Sequence, residues 1–356
     1  MAKTPKKIVY LIGAGATQAE ITHKGGEKVN LLMKDSNLLG HGVSRRVLKK
    51  ANIDRSLKIK EADIEKLISL LGNSGIAEYE KYAEELREGY FKEIVKCLSK
   101  ADILQKPELA ISLLEMHKTE SFNKVEKLSA IISLNHDNLF QVASQKVHEF
   151  INLGFKFESE EFTNKQGPSA PLIIQLHGAF NWKNSLPIEV LKLTSRSKHE
   201  SEILWIPPTI LKEAKEYPYN KLMGLAYEAL TKKCDILRIV GCSLSQNDWN
   251  LISLIFNSQY FKYHFMDDSS IRIELIMNHD TGVNIKKEYA YLKELIPIGY
   301  LKDGNFSDYK DKKTRTQEMG NPFKYWLKTK VNYHQRKKDI LIEDMGLSLK
   351  NVIGVA

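Results

Sequence analysis

Apolar residues follow two kinds of pattern along this chain. The first is a short unbroken run. Lys7 to Ile12 holds one, with Ile8, Val9, Tyr10, Leu11 and Ile12 in succession. Runs of this kind suit strands buried on both faces, as in a parallel sheet. Further strand signals lie at Ser129 to Leu134, Leu172 to Leu176, Glu202 to Ile206, Ile236 to Val240 and Ile271 to Met277. The second pattern recurs in steps of three and four. Ile76, Tyr79, Ala83, Leu86, Tyr90, Ile94 and Cys97 mark one face of a long helix. Asp63 to Leu71 reads as another amphipathic helix, stopped near Gly72 and Asn73. Pro107-Glu108 opens a third, with Pro suited to a first turn and Glu to the positive helix end.

Helical stretches also fall near Asn138 to Asn152, Asn220 to Lys232 and Asp248 to Ser258, between the later strands. Alternating strand and helix predict an α/β protein with a mainly parallel sheet. The helical block from about 27 to 127 is too long for a simple crossover, so it predicts a helical insertion over the site. Residues 1–300 then form one α/β unit containing that insertion. Lys286 to Leu295 and Pro322 to Thr329 read as closing helices. Residues 301–356 read as a basic helical C-terminal extension, in which Ser348 to Ala356 either frays or docks on a partner.

Composition narrows the class without choosing the chemistry. The 356 residues are 42% hydrophobic and 27% charged, ordinary for a soluble globular chain. No apolar run approaches the ~18 residues of a membrane span. The apolar residues after the basic start break at Gly13, too early for a signal peptide, so a cytoplasmic location is expected. Cys97, Cys234 and Cys242 include no Cys-x-x-Cys pair, so neither a disulfide framework nor a zinc ribbon is expected. No metal site is predicted. The net charge of +9 admits a nucleic-acid partner. Its densest segments are Ser44 to Lys50, Lys310 to Arg315 and Gln335 to Lys338. A solvated helix face or a subunit contact would read the same way.

Four separated pieces carry the candidate chemistry, each directly after a strand-like run. Gly13, Ala14, Gly15, Ala16 and Thr17 follow the first. Glycines there let a backbone turn tightly and approach a pyrophosphate at a helix start; a plain tight turn is the alternative. The dinucleotide fingerprint is incomplete, because Gln18 stands where its third Gly would. Asp35, about twenty residues on, lies in a helical context and is set aside as a ribose carboxylate. Asn135 and Asp137 follow the second run, where an Asn can hold a ribose hydroxyl or orient a water, or simply form a turn. His177 follows the third and can remove a proton near neutral pH, or serve as a satisfied core His. Gly241, Cys242 and Ser243 follow the fourth, and Asn278 ends the last strand. These could meet a second phosphate and the distal ribose, or provide ordinary strand-to-helix turns. No His-Glu-x-x-His, Gly-x-Ser-x-Gly or Gly-Lys-Ser/Thr motif occurs, which disfavours those enzyme classes.

Taken in order, Gly-Ala-Gly-Ala-Thr, Asn-x-Asp, Leu-His-Gly, Gly-x-Ser-Leu and a strand ending in Asn resemble the sirtuin catalytic domain. Leu176 to Trp182, Ile206-Pro207-Pro208-Thr209 and Gly241 to Asp248 are most similar to the sirtuin-like proteins of bacterial antiphage defence. The matched pieces run from about residue 7 to 280. The resemblance implies a Rossmann-like domain that binds NAD as substrate. It implies catalytic roles for Asn135 and His177. It places Gly13 to Thr17 around the pyrophosphate and nicotinamide ribose, Asp137 near the nicotinamide, and Gly241, Ser243 and Asn278 by the rest of the dinucleotide.

Two departures bear on the reaction. The zinc cysteines of deacetylating sirtuins are missing, and Gln18-Ala19-Glu20-Ile21-Thr22 replaces their Gly-Ile-Pro-Asp-Phe-Arg run. NAD hydrolysis to nicotinamide and ADP-ribose is therefore expected, with a protein deacylase or a non-catalytic nucleotide or nucleic-acid sensor as the rivals. A homo-oligomer and a HerA-type DNA-translocating ATPase partner are implied by the resemblance alone.

Overall fold

The structure is a computed structural model that describes residues 4–25, 29–35, 39–51, 63–100, 103–163, 170–191, 202–209, 215–242, 244, 248–266 and 271–276. The expected closing helices, the basic extension 301–356, the basic segments beyond 310, Ser243 and Asn278 lie outside the described residues.

Five parallel strands form the main sheet: β1 (Lys6–Ile12), β2 (Glu126–Ser133), β4 (Leu172–Gln175), β8 (Ile236–Val240) and β9 (Arg272–Ile276). Their spatial order is β4-β2-β1-β8-β9. Counted in chain order within the sheet this is 3-2-1-4-5, the order of a Rossmann-like doubly wound sheet. The chain reverses direction across the sheet between β1 and β8, which opens a crevice at their C-terminal ends. Ile8 to Ile12 of β1 and, apart from Arg238, all of β8 are unbroken apolar runs, buried throughout their pairing.

The strand ends are level. Ile12 lies opposite Ser133 on one side and Val240 on the other, Ser133 opposite Gln175, and Val240 opposite Ile276. Whatever follows those five residues therefore arrives at a single edge.

Helix α1 (Ala14–His23) leaves β1 directly. Helices α2 (Val43–Ala51), α3 (Ile64–Gly72) and α4 (Ala77–Lys100) then build a separate core, with Val47, Leu67, Leu71, Leu86 and Leu98 buried together. Asp63 caps α3 by accepting from the Glu65 N–H. Helix α5 (Glu108–Lys118) instead returns to the sheet, where Leu109, Leu113 and Leu114 join the main core. Helices α6 (Leu139–His148), α7 (Tyr219–Lys232) and α8 (Trp249–Phe265) complete the alternation.

A mixed second sheet was not legible in the sequence. Its strands are β3 (Phe157–Glu158), β5 (Gly178–Lys183), β6 (Ile188–Val190) and β7 (Ile203–Trp205), in the order β3-β6-β5-β7. The run at Glu202 to Ile206 belongs here, antiparallel to β5, and not to the parallel sheet. The cause is Gly178. Its φ of +71° turns the chain sharply out of β4, and a side chain there would meet the Leu204 carbonyl oxygen at 2.4 Å.

Buried polar side chains tie these layers together. Gln18, in the place of the fingerprint's third glycine, accepts from the Leu31 N–H at 2.7 Å and donates to the Val29 carbonyl at 2.9 Å. It thereby seats the entry to the insertion on α1. Glu20 reaches the start of α5 and accepts from the Leu109 and Ala110 N–H groups at 3.0 and 3.2 Å. Burial pushes its carboxyl up to about 7, against the pull of those N–H donors. A carboxyl raised above its unfolded value adds stability below that value, and the contribution fades as pH climbs through about 7. Between pH 8 and 5 the native protein will gain up to about 3 kcal/mol relative to Glu20→Gln. Parallel melting-temperature curves for the two proteins across that range would refute this assignment.

Candidate functional site

The four strand-end pieces meet at the crevice edge. Asn135 stands two residues past the end of β2, and its Nδ2 donates to the Gly13 carbonyl at 3.0 Å and to Thr17 Oγ1 at 2.8 Å. Thr17 in turn donates to Asp137 Oδ2 at 2.6 Å. The order of donors is thereby fixed: amide to hydroxyl to carboxylate. With both Nδ2 hydrogens committed, Asn135 presents Oδ1 as an acceptor.

Asp137 is buried, and burial pushes its carboxyl upward while the Thr17 hydroxyl bond pulls it back. Its second oxygen accepts from the Leu139 N–H at 3.2 Å, at the start of α6. Each carboxylate oxygen thus has a protein partner, and Asp137 clamps Thr17 to the helix start.

His177 follows β4, in the turn that leads into β5. Three hydrogen bonds dock this turn on the loop after β2. The Leu176 N–H donates to Ser133 O at 3.0 Å, and the Phe180 N–H to His136 O at 2.8 Å. His177 Nδ1 lies 3.2 Å from Leu134 O. A carbonyl accepts only, so Nδ1 carries a proton, and in the neutral ring the lone pair then sits on Nε2. That tautomer is the one a general base requires.

The glycine turn is shaped by protein contacts. The Gly15 N–H donates to Gly241 O at 2.8 Å. A Cβ on Gly13 would lie 2.6 Å from Cys242 Cβ, and one on Gly15 2.7 Å from Gly241 Cα. Gly241 has φ +58°, and its Cβ would stand 2.3 Å from the Ala16 nitrogen. The turns after β1 and β8 interlock, and these glycines permit it. Ala14 is partly buried against the insertion core, and Ala16 lies in the main core. Gly241→Ala combines a left-handed backbone with this clash, so it will cost at least about 2 kcal/mol in denaturant unfolding. A loss below about 0.5 kcal/mol would show that the two turns separate freely.

Compared with known proteins, the chain matches no protein-family model and no curated sequence.

Aromatic rings wall the site on the insertion side. The His136 ring stacks on Phe180 at 5.0 Å and meets Trp205 edge-on at 5.0 Å. Tyr90 of α4 stacks on Trp205 at 6.0 Å, and His136 lies 6.1 Å from the His177 ring. The insertion therefore touches the loop that carries Asn135 and Asp137 through these rings.

Other sequence readings are reassigned by contacts. Cys242 is buried beneath the glycine turn, as are Cys97 and Cys234 in their own surroundings. Asp35 holds the Gly42 N–H and Arg45 at 2.8 and 2.7 Å on the insertion, away from the glycine turn's partners. In the basic segment at Ser44 to Lys50, Arg45 binds Asp35, and Arg46 and Lys50 both bind Glu93 of α4. No helix among the described residues is long and apolar enough to cross a membrane. No group of three or more His, Cys, Asp or Glu residues among them could hold a metal ion.

The buried amides were not anticipated. Gln175 ends β4 and donates to Asp137 O at 2.8 Å. The available signal was a Gln closing an otherwise apolar buried run.

Proposed function

We propose that this chain is an NAD glycohydrolase that splits the nicotinamide–ribose bond to give nicotinamide and ADP-ribose. The supporting observation is that Thr17, Asn135, Asp137 and His177 stand along the C-terminal edge of a 3-2-1-4-5 parallel sheet, after β1, β2 and β4 and beside the β1/β8 switch point. A dinucleotide lies across such a crevice.

The step balances without an added reagent. The C1′–N bond breaks and its electron pair goes to the cationic pyridinium ring, which leaves neutral. A water oxygen bonds to C1′ through an oxocarbenium-like transition state. Asn135 Oδ1 accepts one hydrogen bond from that water, and His177 Nε2 takes the proton. Thr17 and Asp137 hold the Asn135 amide so that Oδ1 faces the reacting atoms.

The resemblance to defence-associated sirtuin-like proteins supports a cytoplasmic NAD-depleting effector, controlled through self-association and a HerA-type ATPase. Chromatographic analysis of NAD incubated with the chain, alone and with such a partner, tests the reading. Equal release of nicotinamide and ADP-ribose supports it. Formation of O-acetyl-ADP-ribose from an acetyl-lysine peptide would replace it with deacylation. Binding of NAD or DNA without turnover in either condition would replace it with a sensor.

A further inference from the structure

The described residues include a directed chain of buried amides that ends on the Asn135 loop. Asn181 on β5 donates to Leu191 O and, at 2.7 Å, to Gln141 Oε1. Gln141 on α6 is thereby oriented with Nε2 outward, and it donates to Gln175 Oε1. Gln175 then has only its own Nε2 to offer. It donates to Asp137 O at 2.8 Å and lies 3.4 Å from Asn135 O. Gln141 and Gln175 are each 1% exposed, and Asn181 is 3% exposed. An amide this deep orients by its partners, because an unpaired donor or acceptor costs ~1–3 kcal/mol.

We propose that Gln175 is a positioning residue for the NAD-cleaving reaction, fixing the Asn135–His136 and Asp137–Asn138 peptide planes so that Asn135 holds its working orientation. The inference rests on the proposed function. The two carbonyls it reaches belong to Asn135 and Asp137, the two ends of the amide–hydroxyl–carboxylate relay. Its backbone leads in two residues to His177, so one side chain sets the spacing of both segments that carry the chemistry. A displacement of 1 Å at such a group costs on the order of 10²-fold in rate.

The test is Gln175→Glu in the full chain. The introduced carboxyl keeps the shape and still accepts from Gln141. Once ionised it has no proton to donate, and it sets a negative charge against two carbonyl oxygens. At pH 8 kcat for NAD should fall about 30–100-fold, with KM within about threefold of wild type, since the loop and not the dinucleotide crevice is displaced. On lowering pH to about 5.5 the carboxyl takes up a proton and can donate again, so the variant-to-wild-type ratio should recover. His136, Asp137 and His177 are the titratable side chains of the two segments it joins, and taking the ratio at each pH removes their own titration. Gln175→Met removes donor and acceptor alike and should lose kcat without pH recovery.

Wild-type turnover with a Gln175→Glu kcat within threefold of wild type, or a ratio flat with pH, would overturn the positioning role alone. A wild type that leaves NAD intact overturns the NAD reading and this role together. If Gln175→Glu does not fold, Gln175→Met decides by its kcat loss at retained KM. Failure of both to fold makes Gln175 a packing residue and overturns the proposal.

Discussion

On the proposed NAD-cleaving reading, His177→Ala will reduce turnover by about 10²–10⁴-fold while the protein stays folded. The size follows from what a positioned general base contributes, and the direction from the tautomer. Nδ1 donates to Leu134 O, so Nε2 is the basic nitrogen. The stability cost is small by comparison, because the ring is only partly buried and a single hydrogen bond nets ~0.5–1.5 kcal/mol. KM should change little, since the imidazole acts on water and not on the dinucleotide. Asn135→Ala should show a similar loss of kcat together with a larger loss of stability. It strips Thr17 Oγ1 of its Asn135 donor and leaves Gly13 O with the Ala16 N–H, so the turn after β1 is less firmly held. Quantitative chromatography of nicotinamide, with melting curves on the same samples, separates the two effects. A His177→Ala protein that cleaves NAD at near wild-type rate would make His177 an ordinary core residue and remove the catalytic assignment.

The parallel sheet was readable because its strands are buried on both faces, and burial on both faces leaves an unbroken apolar run. The site was readable for a related reason. Gly13, Asn135, His177 and Gly241 each stand within two residues of a row of strand ends that is level across the sheet. Local sequence could not disclose what each group touches. The glycines of the first turn carry a nucleotide-loop signature, yet their nearest constraint is the backbone of Gly241 and Cys242, some 226 residues away in sequence for Gly15 and Gly241 (241 − 15). Asp137 was expected beside the nicotinamide, and its two oxygens prove to hold Thr17 and the start of α6. The second sheet escaped because strands of two to six residues carry too little periodicity, and β5 begins only because Gly178 accepts a left-handed turn. The basic segment at Ser44 to Lys50 left a nucleic-acid partner, a solvated helix face and a subunit contact open. Its partners Asp35 and Glu93 are brought to it by loops and helices that composition does not reveal.

Arg238→Leu will be the most destabilising single change in the sheet, by about 3–5 kcal/mol, because it takes the guanidinium from the buried Glu126 carboxylate and leaves Glu274 to Arg272. Arg238 is fully buried in the second of the two central strands. It grips Glu126 with two bonds of 2.6 and 2.7 Å, and Glu274 through Nε at 2.7 Å. It also donates to the Tyr10 hydroxyl at 3.2 Å, and that hydroxyl meets His117 of α5 at 2.8 Å. Burial drives the Tyr10 hydroxyl well above its usual range, so it stays neutral and acts only through hydrogen bonds. The two carboxylates hold the guanidinium in its charged form despite complete burial. One side chain therefore links β2, β1, β8 and β9, and the ends of β1, β2 and β8 carry Gly13, Asn135 and Gly241. With Arg238 gone, Glu126 loses the guanidinium that binds both its oxygens, while Glu274 keeps Arg272 at 3.3 Å. A buried carboxyl without its cation is held more cheaply neutral than charged, so the variant regains stability as pH falls and loses it as pH rises. Urea unfolding at pH 7.5 and pH 5 should show the deficit narrowing at the lower pH. Adding Glu126→Gln to Arg238→Leu should recover part of the loss at pH 7.5, since a neutral amide needs no cation. A deficit under about 1 kcal/mol at pH 7.5, or one that widens on acidification, would mean that packing alone holds the four strands in register and that the buried ions are dispensable.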